Sequence, residues 1–372
     1  STPLYSSAAS DVYKRQPHDS FKKKSFSGFK KNDIINAVLK NIESKKVESA
    51  CHWTCECIVS GYSLILWEKL INFSAKIIHI NNTKLPYYLY RKNIVFMNQI
   101  ERLNTKSKDR FLYLRNSQMI RNLFFDVICT LTLSSKTKRY DKYPKIDDNE
   151  DFNFTNIQKR LFSGMNILPA HIIHFNDPEE LRIIINEIFA LLKNKQQGYE
   201  KCCYWILWLL SYEKIHKKKK KIWIIDEREV EDIQKKCCGN IVWVLWETIF
   251  EELKIRKNKN ISKQINSLYE LFKSNYTLGK RNARIPLIFN AIGYLTHTIS
   301  FKYPVRADIK LFIHVQSNVN KMFKEKKNNE IKKKEMFDTT FKKNISKKED
   351  ISGEIIKDKI SLFNEIDSMI TK

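Results

Sequence analysis

The sequence has few of the residues that interrupt helices, with 8 Gly and 8 Pro among 372 residues. A β-sandwich or barrel needs a turn about every 8 to 12 residues, so this scarcity argues against both folds. It also leaves little room for a Gly-rich phosphate loop or a dinucleotide fingerprint, and neither motif is present. A nucleophile elbow and a zincin helix are absent too. We therefore expect an all-α protein without catalytic residues, metal or cofactor.

Long apolar runs and a secretory signal are also missing. No apolar run reaches the roughly 18 to 20 residues that cross a bilayer, and the chain shows no signal peptide. We expect no membrane partner and no secretion, so the thiols should be reduced.

The eight cysteines lie mostly inside apolar stretches, at positions 51, 55, 57, 129, 202, 203, 237 and 238. A zinc site is the alternative for Cys51, Cys55 and Cys57 beside His52, or for the two adjacent pairs. None has the C-x-x-C spacing that zinc sites usually use, and adjacent cysteines on a helix diverge by about 100°. The favoured interpretation is burial as small core hydrophobes.

Acidic residues are outnumbered, since 53 Lys and 14 Arg oppose 41 Asp and Glu and give a net charge of +26. A basic chain attracts phosphate backbones, which makes nucleic acid a candidate partner. The alternative is codon bias, because the excess of Lys over Arg and the many Asn and Ile residues are typical of an AT-rich genome, and Arg binds phosphate better. The candidate phosphate contacts are Lys217, Lys218, Lys219, Lys220 and Lys221, with Lys280, Arg281 and Arg284 in the sequence KRNAR. A solvated loop is the alternative interpretation of both groups.

Apolar residues recur with helical spacing from about residue 31. The first stripe comprises Ile34, Ile35, Val38, Leu39 and Ile42. Asn32 is a predicted N-cap, and Gly61 is predicted to end the second helix. Residues 1–16 resemble a translated adaptor and are set aside. The rest divides into a polar lead-in (17–30), a helical module (31–134), a polar linker (135–180), a second module with a basic insertion (181–320) and a Lys-rich tail (321–372).

The two modules carry the same landmarks in the same order, which predicts two divergent copies arranged as a helical stack or a pseudo-twofold pair. Residues 34–53 align with residues 184–205 if two residues are inserted. The other matched landmarks are Trp67 and Glu68 with Trp246 and Glu247, and Arg121, Phe125, Leu131 and Thr132 with Arg284, Phe289, Leu295 and Thr296. Trp53, Trp67, Trp205 and Trp246 are predicted core residues, in preference to base-stacking platforms.

Three segments outside this repeat carry further predictions. In the insertion, residues 223–225 are compatible with a short strand and Asp226–Lys236 with a helix. Asp177 is a predicted N-cap of the helix that follows it. The tail ends in an amphipathic stripe, which we expect to dock on its own domain or to bind a protein partner. The stripe comprises Ile355, Ile356, Ile360, Phe363 and Ile366.

The segment CHWTCECIVSGYSLILWEKLINF, residues 51–73, resembles an uncharacterised protein family of the nucleocytoplasmic large DNA viruses. The likeness extends to a YWI block at Tyr204–Ile206 and a Trp-acidic block at Trp246 and Glu247, and covers most of residues 30–325. It implies a viral protein of the host cytoplasm or viral factory, with no assigned activity. The same segment is also similar in layout to the helical collar of clamp-loader-like AAA+ ATPases, which would imply an assembly surface only.

These features predict a non-enzymatic helical binding or scaffold protein of a large DNA virus, acting with nucleic acid in replication, transcription or packaging. The alternative is a structural or host-interaction protein without a nucleic-acid role. A third hypothesis, an enzyme of unfamiliar type, requires a deep pocket with convergent carboxylates or histidines.

Overall fold

A computed structural model describes residues 21–103, 108–137, 144–221, 223–306 and 308–328. Within these ranges the chain forms thirteen α-helices, short 3₁₀ and π turns and no β-strand, which confirms the all-α prediction. The helices are α1 (Lys31–Glu43), α2 (Val47–Val59), α3 (Ser63–Phe73), α4 (Leu85–Arg102), α5 (Arg110–Tyr113), α6 (Gln118–Leu133), α7 (Phe154–Arg160), α8 (Glu179–Leu192), α9 (Gly198–Lys218), α10 (Ile241–Arg256), α11 (Lys259–Lys273), α12 (Arg281–Thr296) and α13 (Ile309–Lys327).

Each long helix buries the apolar stripe that its sequence predicts. In α1 the stripe residues Ile34, Ile35, Val38 and Ile42 are buried, because they recur on one face of the helix. We call residues 31–133 the first half and residues 179–296 the second half. In the first half, α1 packs on α2 and α2 on α6, and α13, from outside this range, packs on α6. In the second half, α8 packs on α9 and α9 on α12. The halves meet where α4 packs on α11 and where the turn after α3 packs on α12.

The helix ends test three predictions. Gly61 follows the end of α2 with φ +74°, and the N–H groups of Gly61 and Tyr62 donate to the carbonyls of Ile58 and Cys57. This pattern is a Schellman motif, so the prediction for Gly61 is confirmed. The Asn32 prediction is wrong, since α1 begins at Lys31 and Lys30 occupies its N-cap.

The N-cap prediction for Asp177 is also wrong. Pro178 occupies the N-cap of α8, and the Asp177 carboxylate instead binds the Arg228 guanidinium at 2.5 Å. The segment around Arg228 forms no helix, which overturns the prediction for Asp226–Lys236, and residues 223–225 form no strand. The physical reason is that Ile225 and Arg228 are buried against other parts of the chain, so tertiary contacts override the local propensity.

The predicted cysteine burial is confirmed, because all eight cysteines are buried free thiols. Burial raises the pKa of the Cys57 and Cys202 thiols well above its usual range, so both remain protonated. Trp67, Trp205 and Trp246 belong to the core, and each exposes only 1% of its surface. Trp53 is only half-buried and packs at the edge of the core, under Lys326.

Among the described residues, no helix is long and apolar enough to cross a membrane. The amphipathic stripe at Ile355, Ile356, Ile360, Phe363 and Ile366 lies outside the described residues, so its partner-binding role stays a prediction.

Candidate nucleic-acid interface

A groove of about 790 Å³ lies along α9 and α12 in the second half. Its floor is apolar and includes Leu207 and Leu210 from α9, with Ile285 and Pro286 from α12. Its rim is basic. The basic residues that line the groove are Lys76, Lys214, Lys217, Lys236 and Arg281. The fold therefore gathers basic residues from separate stretches of sequence around one apolar depression.

The spacing along α9 explains how this helix contributes to both the floor and the rim. Leu207, Leu210, Lys214 and Lys217 follow one another at intervals of three, four and three residues, which places them on one face. The opposite face of α9, which includes Trp205, is buried in the core. A single helix face thus changes from apolar to basic towards its carboxyl end.

The rim has a net positive charge that the rest of the groove does not neutralise. Glu213 is the one carboxylate among the lining residues, and it lies 2.7 Å from the Arg281 guanidinium. Among the described residues, no carboxylate forms an ion pair with Lys76, Lys214, Lys217 or Lys236. Four ammonium groups are therefore available to an anion, with Arg281 held in place by Glu213 and by the Asn240 side chain.

The predicted lysine run lies at the end of α9, and only its first residue, Lys217, lines the groove. Lys218, Lys219, Lys220 and Lys221 are exposed. The helix ends in a Schellman motif with Lys220 at φ +53°, and the N–H of Lys221 donates to the carbonyl of His216. This end fixes the backbone of the run beside the groove.

The three predicted residues of the KRNAR segment occupy different environments. Arg281 lines the groove, but Lys280 forms an ion pair with Glu68 and donates to the carbonyl of Asn275. Arg284 is 6% exposed and donates to the carbonyls of Phe272 and Ser274. The guanidinium of Arg284 thus caps the end of α11, and neither Lys280 nor Arg284 lines the groove.

Sequence reasoning missed three of the rim residues. Lys214 had a detectable signal, since it continues the Leu207 and Leu210 face of α9. Lys76 and Lys236 had none, because only the packing of the turn after α3 and of the segment before α10 brings them to the groove.

The hypothesis of an enzyme depends on a second depression, of about 900 Å³, beside α10. His171, Glu247 and Glu251 line it, and burial raises the pKa of Glu247 while nearby Arg228 partly offsets this effect. Each carboxylate already has a basic partner, since Glu247 pairs with Arg228 and Glu251 with Lys254 and His171. Both carboxylates of this depression are therefore engaged in ion pairs.

Metal chemistry finds no support in the described ranges, where no group of three or more His, Cys, Asp or Glu side chains could hold a metal ion. The groove along α9 and α12 is therefore the best candidate for a functional site. Comparison with known proteins adds no family: no protein-family model, no curated protein and no solved structure matches the chain.

Proposed function

We propose that the protein is a non-enzymatic helical protein that binds nucleic acid through the groove along α9 and α12. The observation that carries the proposal is the convergence of Lys76, Lys214, Lys217 and Lys236, whose ammonium groups form no ion pair with a described carboxylate, on one groove. Lysines that are spread by codon bias alone have no reason to converge. An ammonium cluster without its own carboxylates attracts phosphate and releases counterions when it binds.

The distribution of charge along the chain also supports a role for the folded body. Residues 329–372 contain ten Lys and nine acidic residues, so they contribute only one of the 26 net positive charges. Residues 1–20 contain two basic and two acidic residues and contribute none. The net charge therefore belongs to the helical body that contains the groove, and the tail is close to neutral.

The proposal includes the origin of the chain as two copies of one module. Five helices of the first half, α1, α2, α3, α4 and α6, have counterparts in the same order in α8 to α12. The hydroxyl groups of Thr132 and Thr296 donate to the carbonyls four residues earlier, at 2.6 and 2.9 Å. Arg121 and Arg284 are both buried and donate to backbone carbonyls outside their own helices. A setting in a large DNA virus, in the host cytoplasm or viral factory, rests on the sequence resemblance alone.

A second candidate function, a scaffold or host-interaction protein, has its own supporting observation. The segment around α7 exposes large apolar side chains that are unusual on a solvated surface. The exposed fractions are 74% for Phe154, 74% for Met165 and 98% for Phe175. Exposed apolar side chains of this size favour a protein partner. The tail, which is predicted to bind a protein, is consistent with the same function.

The test is the salt dependence of binding to a labelled DNA duplex, measured by fluorescence anisotropy on the full chain. The test variant carries Lys214→Gln, Lys217→Gln and Lys236→Gln. The matched control carries Lys40→Gln, Lys46→Gln and Lys310→Gln, which remove the same charge from exposed positions elsewhere.

Each lost phosphate contact lowers the slope of log affinity against log salt by about 0.9. We therefore expect the groove variant to lose about 2 to 3 from the slope and the control to lose less than about 1. Equal losses from the two variants would mean that the charge acts as a diffuse polycation, and the scaffold function would then be favoured. Thermal unfolding of each variant checks that the fold is retained.

A further inference from the structure

The composition of the groove separates two kinds of nucleic acid. A surface that contacts only the phosphates of a duplex needs basic and polar groups and gains nothing from an apolar floor. Here Leu207 and Leu210 of α9 are half-buried, and Ile285 of α12, which lines the same groove, is buried. The volume of about 790 Å³ lies within the range of cavities that enclose small organic ligands.

We infer that the groove binds single-stranded nucleic acid, with an unpaired base on the apolar floor and the flanking phosphates on the lysine rim. This inference rests on the proposed function. In a duplex the bases are stacked inside the helix and cannot reach a recessed floor without the cost of being flipped out. A single strand can turn a base inward, because its bases are already unpaired.

The first turns of α12 supply polar groups at the edge of the floor. Pro286 lies inside α12 and has no N–H, so the carbonyl of Asn282 lacks the donor that a helix normally provides. The exposed Asn282 side chain also lines the groove and carries one acceptor and two donors. An unpaired base offers donors and acceptors along its edge, which a paired base uses within the duplex.

Charge complementarity supports the same occupant. Lys214 and Lys217 lie on the face of α9 above Leu210, while Lys76 and Lys236 come from other segments. A strand whose base rests on the floor would therefore meet ammonium groups from different elements on its phosphates. The groove combines an apolar floor with ammonium groups at its edge. This combination suits a strand in which apolar bases alternate with anionic phosphates.

The experiment measures the affinity of the full chain for three labelled probes at one salt concentration. The probes are an unstructured single-stranded 20-mer, the duplex of the same sequence, and a 20-mer of abasic nucleotides. We expect the single strand to bind about 5-fold more tightly than either other probe, since covering roughly 40 Å² of apolar floor at about 25 cal/mol per Å² contributes about 1 kcal/mol. Similar affinity for the single strand and the duplex would overturn the inference.

The Leu210→Gln variant tests the floor itself, because it keeps the rim charges and a side chain of similar volume but makes the floor polar. We expect it to weaken single-strand binding about 5-fold and duplex binding by clearly less. Lys217→Gln should weaken both. If Leu210→Gln has no effect while Lys217→Gln weakens all three probes, the inference fails and the proposed function stands. If neither variant changes binding, the groove is not the nucleic-acid site and both fail. Unfolding midpoints show whether each variant is folded.

Discussion

The two halves of the helical body are completed by different buried ion pairs. In the first half, the buried Glu56 of α2 binds the Lys326 ammonium of α13 at 2.7 Å. In the second half, the buried Arg228, from the irregular segment before α10, binds Asp177 at 2.5 Å and Glu247 at 3.1 Å. A helix covers one half and an irregular segment covers the other. The difference shows that the apolar cores follow helical periodicity, whereas each half also depends on a buried charge that this periodicity does not predict.

The two ion pairs also differ in how many groups they satisfy. Arg228 donates to the carbonyls of Ile172 and Asp226 as well as to its two carboxylates. Although burial alone would raise the pKa of Asp177, hydrogen bonds from Arg228 lower it. Lys326 forms an ion pair with Glu56, and its ammonium lies 3.2 Å from the His52 ring nitrogen and over the Trp53 ring. Arg228 therefore satisfies more hydrogen-bonding groups than Lys326 does.

The largest effect should come from breaking these pairs. Arg228→Met leaves the Asp177 carboxylate, whose side chain has 0% exposure, without its cation, and we expect a loss of about 4 kcal/mol in the free energy of unfolding. Lys326→Met should cost about 1 kcal/mol less, because Lys326 pairs with one carboxylate, whereas Arg228 also pairs with Glu247 and donates to two backbone carbonyls. Urea unfolding at pH 7 measures both. Equal losses would show that the extra hydrogen bonds of Arg228 add no stability.

The contact between the halves is the next most sensitive point. His79, from the turn after α3, is fully buried against α12, and a Cβ atom on Gly293 would lie 2.4 Å from its ring carbon Cε1. Gly293→Ala should therefore force the halves apart locally and cost about 2 to 3 kcal/mol. The matched control is Gly164→Ala, where a Cβ atom meets nothing within 4 Å. A stability loss of under about 0.5 kcal/mol at both glycines would contradict the tight contact.

The same histidine makes the contact between the halves sensitive to acid. Burial lowers the pKa of His79 from 6.5 to about 3, while the unfolded chain titrates near 6.5. Its contribution to stability is therefore present above pH 6.5 and is lost as the pH falls towards 3, because only the unfolded chain takes up the proton. Between pH 7 and pH 5 the native chain should lose about 2 kcal/mol more than the His79→Asn variant, in which the residue does not titrate.

Asn suits this position because it is one of the few residues that accept a positive φ in turns, and His79 has φ +53° and ψ −134°. Urea unfolding of both proteins at the two pH values gives the difference. If the native chain and the variant lose the same stability, the acid sensitivity comes from other groups, such as the Asp177 and Glu56 carboxylates, whose pKa values are also lowered.

The sequence predicted the parts of this molecule that local periodicity determines. The stripe Ile34 to Ile42 and the glycine end of α2 were readable, because helix faces and left-handed caps depend on nearby residues. The buried role of Arg228 was not, since a charged residue in a polar run looks solvated until distant partners surround it. In the groove, Lys217 and Arg281 were predicted, but Lys76 and Lys236 reach it only through tertiary packing. Arg284 shows the opposite limit, because a basic run was expected at the surface and one member is buried.

The smallest predicted effect compares two buried tryptophans, Trp67 of α3 and Trp246 of α10. The indole N–H of Trp67 donates to Asn93 Oδ1 at 2.8 Å, whereas that of Trp246 is buried without a hydrogen-bond partner among the described residues. Trp→Phe removes a similar volume at both positions, so the cavity costs should nearly cancel when the two variants are compared. Trp67→Phe also leaves the Asn93 oxygen unsatisfied, while Trp246→Phe removes a donor that already lacked a partner. We expect Trp67→Phe to cost about 1 to 2 kcal/mol more in urea unfolding, and equal costs would mean that the hydrogen bond to Asn93 adds no stability.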